Sequence, residues 1–219
     1  MKVLSIVALA ALALSAAQSR AGDIPYSDPG TVAPANTFTA AATGDVYGYF
    51  TGRGSAGAVD YLQMIDVTTD TASGWLFDNQ TSTAGQLQLF GAVNAGDVLE
   101  FQIWNASETA TGYPNGLVFS SNPANSFDGL NHAYATAWAG GTLDGAAIPA
   151  GTYVGMEDLP AVAPPGAYFN FPSNFTYQDD TAVFTDVDAG LVTPEPGSLL
   201  LLGSGLIGLA GLLRRRRRA

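Results

Sequence analysis

The chain has no cysteine, a single histidine and very few basic residues. Without cysteine, disulfides cannot stabilise the fold, and neither a thiol nucleophile nor a cysteine-based zinc site can form. His132 is the only histidine, and no Gly-x-Ser-x-Gly elbow occurs, so neither a Ser-His-Asp nor a Cys-His arrangement is supported. The sequence therefore predicts no catalytic residues and a protein that is not an enzyme.

Basic residues are nearly absent from the central part of the chain. Residues 22–193 contain eighteen acidic residues and one basic residue, Arg53, which gives a net charge of −17. A surface of this charge repels nucleic acid and anionic lipid. We therefore expect no nucleic-acid partner. Cations, cationic polymers and neutral glycans remain as candidate partners.

The N-terminus has the pattern of a secretory signal peptide. Lys2 precedes an apolar stretch over residues 3–17, and small residues lead to a cleavage position between Ala21 and Gly22. Residues 1–21 are therefore predicted to be removed on export. A buried N-terminal helix is the alternative, and it leaves both Lys2 and the Gly/Pro break that follows residue 21 unexplained.

The C-terminus combines an apolar run with an arginine cluster. Residues 197–213 carry no charge, and five arginines follow at 214–218. Seventeen residues is the lower limit for a helix that spans a bilayer, and arginines mark the cytoplasmic end of such a helix. The pattern predicts a transmembrane helix over 197–213 in the inner membrane, with the body outside the cytoplasm. A basic nucleic-acid-binding tail would explain only the arginines.

This tail has a further feature, the tripeptide Pro194-Glu195-Pro196 just before the apolar run. Tripeptide, Gly/Leu-rich span and terminal arginines together resemble the PEP-CTERM sorting signal of Gram-negative bacteria. The resemblance implies an exosortase-like processing enzyme that cuts near Pro194, Glu195 and Pro196. It also implies that the passenger is passed to the cell surface or to extracellular polymer.

Between the two ends, short apolar or alternating segments are separated by Gly, Asn, Asp and Pro, as in all-β proteins. The candidate strands are Val46–Phe50, Val59–Val67, Trp75–Asp78, Gln86–Val93, Asp97–Asn105, Leu117–Ser120, His132–Ala139, Thr152–Glu157 and Ala182–Val187. They predict an antiparallel β-sandwich of jelly-roll type over residues 46–190. Residues 22–45 are expected to form a loose lead-in or an edge strand, and residues 191–219 form the sorting tail.

Residues 85–187 carry a second pattern. Gly155, Glu157, Asp158 and Leu159 form a Gly-x-Glu-Asp-Leu element. A later element keeps Tyr177 and Asp179 but has Asn174, Thr176 and Gln178 where acidic residues or asparagine are usual. The two elements resemble an uncharacterised all-β domain of bacterial exported and adhesion-like proteins. That resemblance implies a fold and brings no activity with it.

Two acidic pairs in this region, Glu157-Asp158 and Asp179-Asp180, are candidate calcium ligands. Calcium takes six to eight oxygen ligands, and Asn174, Thr176 and Gln178 alternate along the segment that could add neutral oxygens. A network of turns, in which the carboxylates accept backbone hydrogen bonds, is the alternative. Calcium is the only cofactor that the sequence suggests.

Trp104 is the candidate for contact with a glycan. In the strand DVLEFQIWN it alternates with Phe101 and Ile103, so it is expected on the opposite face. With Trp75, Trp138, Tyr113 and Tyr134 it could form a platform for sugar rings, although aromatic residues in strands most often belong to the core.

Taken together, these patterns predict an exported, non-catalytic surface or extracellular-matrix protein that is associated with exopolysaccharide or biofilm. The alternative is a carbohydrate-binding module or a glycan-active enzyme of the cell envelope.

Overall fold

The computed structural model describes residues 31–54, 56–108, 112–162 and 172–191. The predicted signal peptide, the transmembrane helix at 197–213 and the arginine cluster at 214–218 lie outside these residues. In the described part of the chain, no helix has the length and apolar character needed to cross a membrane. Its regular elements are β-strands, with one short 3-10 helix at Pro123–Asn125.

The strands are β1 (Asn36–Ala40), β2 (Gly44–Gly52), β3 (Asp60–Asp66), β4 (Thr71–Ala72), β5 (Leu87–Val93), β6 (Val98–Asn105), β7 (Leu117–Ser120), β8 (Ala133–Trp138), β9 (Gly141–Leu143), β10 (Ala146–Ile148), β11 (Gly151–Met156), β12 (Asp180–Phe184) and β13 (Val187–Leu191). The first sheet has the order β13-β1-β6-β3-β4, and β7 also pairs with β6. The second sheet has the order β5-β2-β12-β11-β8. All pairs are antiparallel, so the predicted all-β class with antiparallel sheets is confirmed.

The two sheets pack face to face because each has an apolar inner face. In β6, Leu99, Phe101 and Ile103 point inward and are almost completely buried. Phe184 of β12 meets Phe101 across the interface with ring centroids 4.5 Å apart. Further edge-to-face contacts extend this aromatic core to Phe38 in the first sheet and Phe90 in the second.

The outer face of the second sheet is covered as well. The β9–β10 hairpin lies over it, so Trp138, Ile148, Tyr153 and Val183 form a separate buried cluster. For this reason β11 and β12 are apolar on both faces rather than alternating.

Most predicted strands are present, within a few residues of the expected bounds. Trp75–Asp78 is not a strand, because Phe77 adopts a left-handed conformation (φ 52°) that directs its ring into the core. Only Leu76 in this segment forms a bridge, to Leu62. The predicted strand Ala182–Val187 is divided by a turn, in which Asp186 has a φ of 59°. Its first part belongs to β12 in one sheet and its end to β13 in the other.

The segment before residue 46 contains an ordered strand. β1 (Asn36–Ala40) lies between β13 and β6 and pairs with both. It therefore has neighbours on each side, which neither a loose lead-in nor an edge strand would have. Its inward residues Phe38 and Ala40 are buried in the core.

Candidate functional site: a buried carboxylate cluster at one end of the sandwich

The strand ends at one end of the sandwich bring acidic residues together. Asp60 begins β3 and pairs with Asn105, the last residue of β6. Asp180 begins β12 and pairs with Met156, the last residue of β11. Glu157 and Asp158 follow β11 directly, and Asp179 directly precedes β12. The ends of both sheets therefore supply carboxylates to one region.

Three of the four residues predicted to bind calcium lie within reach of a single ion. Glu157, Asp158 and Asp179 each offer a carboxylate oxygen, and these oxygens all lie within 4.8 Å of one another. Glu157 and Asp158 are buried. The backbone N–H of Asp158 donates to Asp179 Oδ2 over 3.1 Å, which holds the two loops together. We call Glu157, Asp158 and Asp179 the carboxylate triad.

The fourth predicted residue, Asp180, is fully buried beside the triad. Neither of its carboxylate oxygens has a hydrogen-bond partner among the described residues. Burial raises the pKa of Asp180 well above its ordinary value, and the nearby charges of Asp60 and Asp179 raise it further. A carboxyl group in this environment is stabilised only when it is protonated or when a cation neutralises it.

The pKa values of the triad are raised in the same way. Burial raises the pKa of Glu157 to about 8, with Asp179 as the next largest cause. Burial and the charges of Asp179, Asp60 and Glu157 raise the pKa of Asp158. Burial also raises the pKa of Asp179, against the hydrogen bonds from Asp158 and Glu157. These groups repel one another when they are ionised.

The residues expected to contribute neutral oxygens do not join the cluster. Asn174 Oδ1 accepts from both the backbone N–H and the hydroxyl of Thr176, so it closes a local turn. The backbone N–H of Thr176 in turn donates to Glu157 Oε2 over 3.0 Å. Gln178 packs over Gly54, where an added Cβ would lie 2.6 Å from Gln178 Oε1. This segment holds Glu157 in place rather than extending the set of ligands.

Sequence reasoning did not find two further members of the site, Asp60 and Asn79. Asp60 is fully buried, and its pKa is raised by burial and by the charge of Asp179. Asn79 Nδ2 donates to Asp60 Oδ2 (2.5 Å) and to the backbone oxygen of Asp179 (3.1 Å). Asn79 therefore links the two sheets at the cluster. Asp60 is a lone acidic residue at the start of an apolar strand, so no local pattern indicates its role.

Within the described ranges, no cationic side chain forms an ion pair with the cluster. Arg53 donates to the backbone oxygen of Ala56 and to Gln80 Oε1 rather than to a carboxylate. His132 is fully buried at the start of β8, where its ring nitrogens lie 3.0 Å from the backbone oxygen of Glu157 and 3.0 Å from Asp128 Oδ1. Asp128 is partly buried, which acts to raise its pKa, yet the hydrogen bond from His132 and that from the Ala161 N–H lower it to about 2. His132 thus pairs with Asp128 and braces the Glu157 backbone.

Trp104 lies where the alternation predicted, half-buried on the outer face of the first sheet. It stacks on Tyr61 (centroids 5.4 Å apart, planes at 29°) and contacts Trp75 (5.8 Å). Its indole N–H donates to the backbone oxygen of Asn115, which fixes the ring. Trp138, Tyr113 and Tyr134 lie elsewhere, and Trp138 is buried under the β9–β10 hairpin. We call Tyr61, Trp75 and Trp104 the aromatic platform.

Comparison with known proteins identifies the tail. The family model of the PEP-CTERM protein-sorting motif matches residues 192–218. This match confirms the predicted sorting motif, with Pro194, Glu195 and Pro196 inside it, and marks the chain as an exported, membrane-anchored substrate of exosortase processing. A search of curated proteins finds no match, and neither does a search of solved structures.

Proposed function

We propose that the protein is a non-catalytic β-sandwich that is exported, sorted through its C-terminal motif, and used as a surface or extracellular-matrix component that calcium stabilises. The sorting motif supports the destination. The observation that carries the role of calcium is the carboxylate triad, because three mutually repelling carboxylates share one buried space without a cationic partner among the described residues.

Export and calcium dependence fit together physically. Calcium is a hard cation that prefers carboxylate oxygens, and extracellular calcium-binding modules work with dissociation constants of about 10⁻⁴–10⁻³ M. A site of this strength is filled only where calcium is abundant. The chain would then be least stable before export and most stable at the cell surface. At the cell surface the protein would also meet extracellular polysaccharide, with which the proposed matrix role associates it.

The destination can be tested by fractionating cells of a bacterium that has the sorting enzyme. We expect the wild-type chain in the surface or extracellular fraction, shortened by its tail. Replacing Pro194, Glu195 and Pro196 with alanine should leave the uncut chain in the membrane fraction, because the processing enzyme no longer recognises it. A wild-type chain that stays in the cytoplasm with its first 21 residues attached would contradict the proposal.

The aromatic platform favours a second candidate function, glycan binding. Tyr61, Trp75 and Trp104 present partly exposed rings side by side, and a net negative protein is better matched to a neutral sugar ring than to a polyanion. The platform lies on the outer face of the first sheet, so a glycan bound there would not compete with an ion at the cluster.

This candidate predicts a selective effect of aromatic substitutions. Trp104→Ala should weaken binding to a neutral exopolysaccharide by about tenfold or more, the equivalent of about 1.4 kcal/mol, because both ring contacts of the platform are lost. Tyr113→Ala is the matched control, since Tyr113 is an exposed aromatic residue outside the platform. Binding can be measured on a glycan array and by calorimetry. A blank array with the wild-type chain would end the glycan hypothesis.

A further inference from the structure

The carboxylate cluster continues beyond the triad to Asp60 and Asp180. Both residues are fully buried, and each is the first residue of a strand in a different sheet. In β3, Asp60 lies on the same face of the strand as the core residues Leu62 and Met64. In β12, Asp180 lies on the same face as the core residue Ala182. Both carboxylates are therefore directed into the space between the sheets.

In the described part of the chain, most carboxylate oxygens of Asp60 and Asp180 lack a hydrogen-bond partner, which is unusual for buried atoms. Both oxygens of Asp180, and Oδ1 of Asp60, have no hydrogen-bond partner within the described ranges. A buried polar atom is almost always hydrogen-bonded. Three unpartnered oxygens on two adjacent buried carboxylates therefore indicate a ligand that supplies what the protein does not.

Another buried carboxylate of the same chain shows how this protein satisfies such a group. Glu100 is also nearly fully buried, at 3% exposure. Its two oxygens accept hydrogen bonds from Gln102, Ser120, Asn122 and Asn125. Amide and hydroxyl donors are thus placed around a carboxylate where no ion is needed. None of the described residues does this for Asp180.

When it is fully ionised, the extended cluster also carries more charge than one divalent ion can balance. The triad together with Asp60 and Asp180 comprises five carboxylates, and one calcium ion carries two positive charges. His132 is directed toward Asp128 and the Glu157 backbone rather than into this space. A single ion at the triad would leave the buried carboxylates of Asp60 and Asp180 without a cation of their own.

We propose that the cluster binds two calcium ions, the first at Glu157, Asp158 and Asp179, and the second between Asp60 and Asp180. Asp179 directly precedes Asp180, and Asn79 links its backbone oxygen to Asp60, so Asp179 would lie next to both ions. Asn79 holds Asp60 and the Asp179 backbone in place for the second ion. This inference rests on the proposed calcium dependence and adds to it a second ion and its ligands.

The test is the number of calcium ions bound by the purified full-length chain, measured by native mass spectrometry and by calorimetry. We expect two ions per wild-type chain. The double variant Asp60→Asn/Asp180→Asn should bind one, and Glu157→Gln should weaken the first ion while it keeps Asp60 and Asp180. Asp188→Asn, which removes an exposed carboxylate of β13, is the matched control and should bind two.

The outcomes separate the two proposals. One ion in the wild-type chain, with no effect of the double variant, would overturn the second site and leave the calcium dependence standing. No ion at all would overturn both. Because the wild-type count alone decides between one ion and two, a failure of the double variant to fold would not leave the question open.

Discussion

Calcium is expected to raise the melting temperature of the purified full-length chain by about 8 °C for each ion bound. An ion present at a hundred times its dissociation constant stabilises the native state by about 2.7 kcal/mol if it binds only that state. For a chain of this size, 1 kcal/mol corresponds to about 2–4 °C in melting temperature. The effect arises because the carboxylates of the triad come together only in the folded protein. Calorimetry with calcium and with chelator measures it directly.

A substitution at Asp180 distinguishes an ion site from a structural turn network in this experiment. In chelator, Asp180→Asn should raise the melting temperature, because it removes a buried carboxyl group that has no partner. In calcium the same substitution should lower it, because a charged ligand is lost. Asp188→Asn should change neither value appreciably. If Asp180→Asn shifts the melting temperature in the same direction under both conditions, the cluster acts as a structural turn network and not as an ion site.

The second large effect is an inverted pH dependence of the chain in metal-depleted buffer. Folding raises the pKa of Glu157 from 4.5 to about 8, chiefly through burial and then through Asp179. A raised pKa contributes stability that is complete below the unfolded-state value and is lost as the pH rises through the folded-state value. Stability should therefore fall between about pH 4.5 and pH 8. The loss is on the order of several kcal/mol, since one pKa unit corresponds to about 1.4 kcal/mol.

The measurement is a series of thermal melts from pH 5 to pH 9, with and without calcium. The groups that face Glu157 are Asp158 and Asp179, both with raised pKa values, and His132 contacts its backbone oxygen. Glu157→Gln should flatten the profile in metal-depleted buffer. Calcium should oppose the decline, because it binds the ionised carboxylates. A metal-free chain that gains stability from pH 5 to pH 8 would contradict this account.

The sequence predicts the strands well where apolar residues alternate with polar ones. β6 alternates clearly, and its bounds follow from that pattern. β11 and β12 were also found, because apolar residues fill both faces. The prediction of a strand at Trp75–Asp78 is wrong because a short apolar run does not reveal that Phe77 takes a left-handed conformation. β1 was obscured because its short Thr- and Ala-rich segment resembles a linker.

The site was only partly predictable. Glu157, Asp158, Asp179 and Asp180 occur as adjacent acidic pairs, and such pairs are visible in the sequence. Asp60 is a single acidic residue that is distant in sequence from these pairs. Its role depends on which strand ends meet in the folded protein. Pairing across sheets is a tertiary property that no local pattern contains. The aromatic platform also depends on strand pairing, since the register of β3 with β6 brings Tyr61 and Trp104 together.

The pairing of β1 with β13 has a consequence for how quickly the sandwich forms. Asn36 in β1 pairs with Leu191 in β13, and β2 in the same region pairs with β12. Contacts between such distant parts of a chain make folding slow. The two sheets cannot be completed until β12 and β13 have been synthesised. A chain that must cross a membrane before it folds benefits from this delay, because the topology keeps it unfolded while translocation proceeds.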